Sequence, residues 1–140
     1  MHGNLKKIVS FIKEHHLLTL ATLCENNPQC SNLFYTYLKD ENAFVVASDE
    51  KTEHIQNVLK RPQVAVSISL ETTIIGKVQG LQIKGEMYKA EDTKAKKAYL
   101  KAFPYAIVMN PTLWRITVRT MKLTDNRLGF GKKLIWDKVS

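Results

Sequence analysis

Between Ala47 and Pro62 the chain reads ASDEKTEHIQNVLKRP, a short segment carrying two hydroxyls, an ammonium and an imidazole at Ser48, Thr52, Lys51 and His54. These are the donor types that hold a phosphate. Ile55, Val58 and Leu59 follow at helical spacing and Pro62 ends the run, so the segment is expected to hold a short helix. A helix start adds unpaired backbone N–H groups and a partial positive charge to the same place. Ser48, Asp49 or Thr52 can each cap it. Taken alone, the residues also describe a capped connector with Lys51 and His54 solvated, and that plainer reading is preferred until context is added.

Other chemistry-bearing residues are sparse. Cys24 and Cys30 flank a turn, ENNPQ, and are expected to be buried, reduced thiols that could face one another across a hairpin; their spacing fits no zinc pattern. His2, His15, His16 and His54 have no second ligand cluster near them, so a metal site is not expected. His15 and His16 close the first helix, where its dipole favours imidazolium. Gly129 and Gly131 flank Phe130 ahead of Lys132 and Lys133, but a single GxG lacks the remaining positions of a dinucleotide fingerprint or P-loop.

The elements that must position these groups follow from periodicity. Leu5, Ile8, Val9 and Ile12 make Asn4 to His16 an amphipathic helix with Asn4 as its cap. LLTLATL, CSNLFYTYL and AFVVAS then read as an antiparallel meander with turns at Glu25 to Pro28 and Lys39 to Asn42. QVAVSISL alternates cleanly, and QGLQIKGEMYKA is a strand whose Gly80 and Gly85 suggest bulges or corners. Asp92 caps a helix with Ala95, Ala98, Tyr99 and Ala102 inward. LWRITVRTMKLTD buries Trp114, Ile116 and Val118, and a turn leads to a last short strand. Glu71 to Lys77 and YAIVMNP have no firm assignment. The sum is one domain over residues 1–140, mainly β with peripheral helices (α+β), an antiparallel barrel of six or seven strands.

Composition narrows the partners without choosing one. With 44% hydrophobic and 24% charged residues the chain is an ordinary globular one. No apolar run approaches the roughly 18 residues of a membrane span, and no signal peptide is visible, so a cytoplasmic protein is expected. The net charge of +8 favours an anionic partner: nucleic acid, an acidic membrane surface or a phosphorylated small molecule.

The order of elements resembles the flavin-binding split barrel of the pyridoxamine 5'-phosphate oxidase-like superfamily, and GLQIKGE with TDNRLGFGKKLIW resembles a small, uncharacterised bacterial branch of it. The resemblance implies an antiparallel split β-barrel, a homodimer and flavin mononucleotide (FMN) held by its phosphate. The superfamily's phosphate motif aligns without gaps on Ser48, Lys51, Thr52, Asn57 and Pro62, with His54 where Lys is usual. On the second strand the basic positions align with Asn32 and Tyr37. Lys132 and Lys133 are candidates to supply the missing charge, from either subunit. The implied cofactor-binding set is therefore Asn32, Ser48, Lys51, Thr52, His54, Lys132 and Lys133.

The leading expectation is an FMN-binding oxidoreductase of unknown substrate and without an identifiable catalytic residue, since the flavin carries the redox chemistry. Pyridoxamine phosphate oxidation itself is not expected, because no arginine-rich terminal region is present. The alternative is a haem-binding or haem-degrading split barrel, with His15, His16 or His54 as candidate iron ligands. Nucleic-acid binding rests on charge alone and is the least favoured.

Overall fold

The computed structural model describes residues 2–138; the side chain of His2 lies outside the described part. The chain forms α1 (His2–Glu14), β1 (Leu17–Cys24), β2 (Asn27–Leu38), β3 (Ala43–Ala47), α2 (Glu53–Lys60), β4 (Gln63–Ser69), β5 (Gln79–Lys89), α3 (Thr93–Ala102), β6 (Leu113–Asp125) and β7 (Lys133–Asp137), with short 3-10 turns before β5, before β6 and after it.

All strand pairs are antiparallel, in the order β3-β2-β1-β4-β5-β6-β7, and β3 also pairs with β6. Six strands thus close into a barrel. β6 is long enough to serve two neighbours on one edge: Leu113 to Thr117 bond β3, while Thr120 to Thr124 bond β7. The barrel splits where β6 leaves one partner for the other. Gly85 makes the bend beside this region possible. The β5–β6 register shifts between Lys84 and Gly85, and a Cβ at Gly85 would lie 2.1 Å from the Thr117 carbonyl oxygen.

The barrel interior holds Leu20, Phe44, Val66, Ile83, Trp114 and Ile116, and it is closed by Ile8, Phe11 and Ile12 of α1 and by Ile55 and Val58 of α2. Burying each such side chain is worth about 1.5–3 kcal/mol, which anchors α2 far more firmly than its length alone would. A second cluster lies outside the barrel, where Ala95 and Tyr99 of α3 cover Val45, Leu38 and Leu113. No helix among the described residues is long and apolar enough to cross a membrane.

Several local expectations are corrected. Asn4 lies inside α1, which starts at His2, so it is no cap. The first hairpin turns more tightly than expected, since Cys24 already pairs with Asn27 and Glu25 takes the left-handed conformation. Both cysteines are exposed and do not face one another, because Cys30 pairs with Ala21 on the outer face. Leu59 is exposed and Asn57 is buried in its stead, since the buried side of α2 meets polar partners from β1 and β2. Ala102 is exposed at the end of α3, where Phe103 packs instead. On α3, Lys94 is neutralised by Asp40 and Glu41.

Candidate functional site

The residues from Ser48 to His54 are held by three different elements. β6 pins the entry: Ser48 N–H donates to the Thr112 carbonyl at 3.0 Å, and the Trp114 indole Nε1 donates to the Ser48 carbonyl at 2.9 Å. Asp49 then shapes the turn, its carboxylate accepting from Lys51 N at 2.8 Å and its carbonyl from the Thr52 hydroxyl at 2.8 Å. This is the short-range side-chain bonding that makes Asp a turn residue. Thr52 is the N-cap of α2, its hydroxyl accepting from Ile55 N at 3.4 Å. Of the three caps left open by the sequence, the structure selects Thr52.

His54 organises the hydroxyls around it. Its Nε2 lies 2.6 Å from Ser48 Oγ and 3.3 Å from Thr52 Oγ1, and its Nδ1 lies 3.0 Å from Ser31 Oγ on β2. Burial pushes the imidazole pKa below its ordinary value. A neutral ring has one donor and one acceptor, and serine hydroxyls can complement either, so the ring is satisfied without a charge. It therefore does what a lysine would not: it orients Ser48 instead of presenting a cation. Asn57, one turn on, donates from Nδ2 to Thr22 Oγ1 at 3.2 Å and Gln29 Oε1 at 3.0 Å, so its buried amide ties α2 to the hairpin.

The local charge is divided. Asp49, Glu50 and Glu53 flank Lys51 along the chain, and Glu50 is paired with Lys89 at 3.1 Å. No hydrogen bond or ion pair occupies the Lys51 ammonium among the described residues. Ser48 and Asp49 also form one lip of a cavity of about 380 Å³ walled by Phe34, Tyr99, Phe103 and Tyr105. That volume and its aromatic lining suit a flat ring system, with polar groups at one end. Phe34 lies 5.6 Å from Phe103 between centroids and, on its other side, stacks at 5.9 Å on His16. The hydroxyls, the free ammonium and the helix start fit a phosphate, and the adjoining cavity fits the ring that such a phosphate would carry.

Ser48, Thr52 and His54 thus come together, with Lys51 in the turn between them. Asn32 does not join them: it accepts from the Thr19 hydroxyl at 2.9 Å on the outer face of the sheet, while its neighbour Ser31 turns inward to His54. Tyr37 donates to Asn42 Oδ1 at 2.6 Å in the next turn, and burial pushes its phenol up to about 12. Lys132 and Lys133 stand at the β6–β7 hairpin, where Lys133 Nζ donates to the Gly131 carbonyl. No hydrogen bond or ion pair among the described residues links them to the α2 start within the chain. Ser31, Trp114 and the aromatic wall were not foreseen. Alternation along β2 signals Ser31, once the register with the apolar Leu20 is known.

Comparison with known proteins places these features in a family. The family model described as pyridoxamine 5'-phosphate oxidase matches residues 5–124. A UPF0306 protein of Photorhabdus laumondii is 35% identical over 138 residues, covering 96% of each chain. Among solved structures, a heme binding protein from Mycobacterium smegmatis superposes with a TM-score of 0.78 at 19% identity, over 96% of this chain and 57% of that longer one. A FAD-binding protein from Mesorhizobium loti superposes at 0.71 with 13% identity, over 84% and 89% of the two chains. At those identities the structures speak for the fold alone.

Proposed function

Because the chain belongs to the pyridoxamine 5'-phosphate oxidase family, and within it to the UPF0306 proteins, we propose that it is a homodimeric FMN-binding protein acting as a flavin-dependent oxidoreductase. The observation that carries this reading is the convergence of the Ser48 and Thr52 hydroxyls on the start of α2, next to Lys51, whose ammonium has no partner among the described residues, with Ser48 lining an aromatic cavity. Lys51 and the first backbone N–H groups of α2 hold the phosphate, with Ser48 and Thr52 as hydroxyl donors. His54 keeps Ser48 oriented. Phe34, Phe103 and Tyr105 exclude water from one side of the ring. Bound FMN would supply hydride or electron transfer from its own ring system.

The test is to release the chromophore from freshly purified protein and identify it by mass. FMN in near-stoichiometric amount is the expected result; protein that carries none and fails to take up added FMN refutes the reading. A haem reading keeps one structural support: His16, alone of the sequence candidates, stands beside the cavity through its stack on Phe34. His54 has both ring nitrogens engaged by hydroxyls. A Soret band that disappears in His16→Ala would favour haem over flavin.

A further inference from the structure

The 3-10 turn before β6, Pro104–Met109, buries Ala106 and turns its large apolar residues outward. Ala106 joins Tyr99 and Leu113 in the cluster outside the barrel, which pins the turn from beneath. Its backbone is closed by Ala106 N donating to the Phe103 carbonyl at 3.0 Å and Asn110 N to the Ile107 carbonyl at 3.3 Å, and Asn110 leaves it in the left-handed conformation. With Ala106 held inward, Tyr105, Ile107, Val108 and Met109 are 69, 62, 87 and 77% exposed. Single exposed apolar residues are ordinary. A run of them on one fixed turn is a contiguous patch, and such patches mark interaction surfaces.

Uncompensated cations flank the patch. Lys96 and Leu100 of α3 share a cleft of about 480 Å³ with Ile107. Lys97 and Lys101 lie one turn apart on the exposed part of the same helix, which runs directly into Pro104. No hydrogen bond or ion pair occupies the ammonium of Lys96, Lys97 or Lys101 among the described residues. The carboxylates of the cleft are already engaged: Arg115 holds Asp92 at 2.8 Å, and Lys89 lies 3.9 Å from Glu91.

An apolar apex with a positive flank selects its occupant. A second copy applied by two-fold symmetry would bring the same three lysines together, like charge against like. A lipid surface with anionic headgroups offers the opposite charge to the lysines and acyl chains to the apex. Lysine stems can lie along apolar surface while their ammoniums reach headgroups, and Tyr105 carries the amphipathic ring that suits the boundary between lipid and water. We propose that Pro104–Met109 and the lysines of α3 dock the protein on anionic membranes, with Ile107, Val108 and Met109 entering the interface without crossing it. The inference is independent of the FMN reading.

The full chain is floated at low salt with vesicles of phosphatidylcholine, alone or mixed with phosphatidylglycerol. Flotation with the mixed vesicles only is expected; its absence overturns the proposal. Lys96→Gln, Lys97→Gln, Lys101→Gln together should lower partitioning roughly 100-fold. Ile107→Ser, Val108→Ser, Met109→Ser together should abolish the flotation that persists at raised salt, where screening leaves mainly the apolar contact. Both variants alter exposed side chains, and unchanged thermal midpoints check their folding. Undiminished flotation of either would place the contact on another face, against the proposal. In a Cys24→Ser, Cys30→Ser background, a polarity-sensitive dye attached at Val108→Cys should shift to the blue with the mixed vesicles. A blue shift that grows with protein concentration and needs no vesicles would assign the patch to a second copy. One produced by polyglutamate and not by vesicles would assign it to an acidic polypeptide. Either result overturns membrane docking.

Discussion

The starts of α2 and α3 are built alike and are chemically opposite. Each helix is N-capped by a side chain, Thr52 for α2 and Asp92 for α3, that accepts from the backbone N–H three residues on. At α3 the cap is itself an anion, and Arg115 grips both its oxygens at 2.8 and 3.1 Å. The guanidinium holds the Asp92 carboxyl far below the usual carboxylate range. The chain has therefore filled that positive helix end with its own charge and then neutralised the charge in turn. At α2 the cap is a neutral hydroxyl, burial disfavours a charge on the histidine beside it, and the Lys51 ammonium has no partner among the described residues, although Asp49 and Glu53 bring carboxylates to the same turn. The difference teaches that the cap position of a helix start is open to a ligand anion only where the capping side chain is itself neutral.

The sharpest way to break the comparison is to give α2 the cap of α3. Thr52→Asp keeps an N-cap acceptor and is expected to leave the thermal midpoint within about 2 °C, a surface-level change. Its carboxylate would meet the phosphate directly, and a like-charge contact costs several kcal/mol, so FMN affinity should fall about 100-fold or more by fluorescence titration. Unchanged affinity would remove the phosphate from this helix start.

A deletion at the same place should do less. Lys51→Ala with Thr52→Ala removes a charge-assisted donor and a hydroxyl without adding repulsion, and affinity should drop roughly 10- to 100-fold. The converse change at α3 should touch stability and not flavin. Asp92→Ala loses a cap and a surface-exposed ion pair, for about 1 kcal/mol by denaturant titration. FMN affinity should stay within twofold, and a larger loss would mean that the two helix starts are coupled.

The smallest effect concerns pH. Burial depresses the His54 pKa in the folded state, so the unfolded chain binds the proton more readily. The stability tied to this group is complete above the ordinary histidine value of about 6.5 and is lost as pH falls from there toward the depressed folded value. The thermal midpoint should therefore decline on acidification below about pH 6.5, and His54→Gln, which keeps hydrogen bonding and cannot titrate, should flatten that part of the curve. A wild-type profile matching that of the glutamine variant would show that His54 is not buried in neutral form.

Much of this site could be read along the chain. Alternation and proline punctuation located the strands on either side of α2, and the superfamily resemblance aligned its motif on Ser48, Lys51 and Thr52, of which the structure brings the Ser48 and Thr52 hydroxyls together. Asn32 shows where that reading lost its hold. Matching by position along β2 selects it, but strand alternation sends it outward and its neighbour Ser31 inward to His54. A one-residue step on a strand changes the face, and nothing local fixes which face is which until the pairing with β1 is made.

Local chemistry, then, determined the elements: that a short helix lies between β3 and β4 and stops at Pro62, that β6 is half-buried, and that hydrogen-bond donors gather ahead of Ile55. These depend on spacing, capping and backbone restriction, which act over a few residues. Tertiary structure decided the rest. It closed β3 onto β6 while leaving β7 to extend the same edge, set the aromatic wall beside Ser48, and made His54 a neutral strut where a cation was usual. Burial and register are properties of elements that meet across the barrel, and no window of sequence contains both partners.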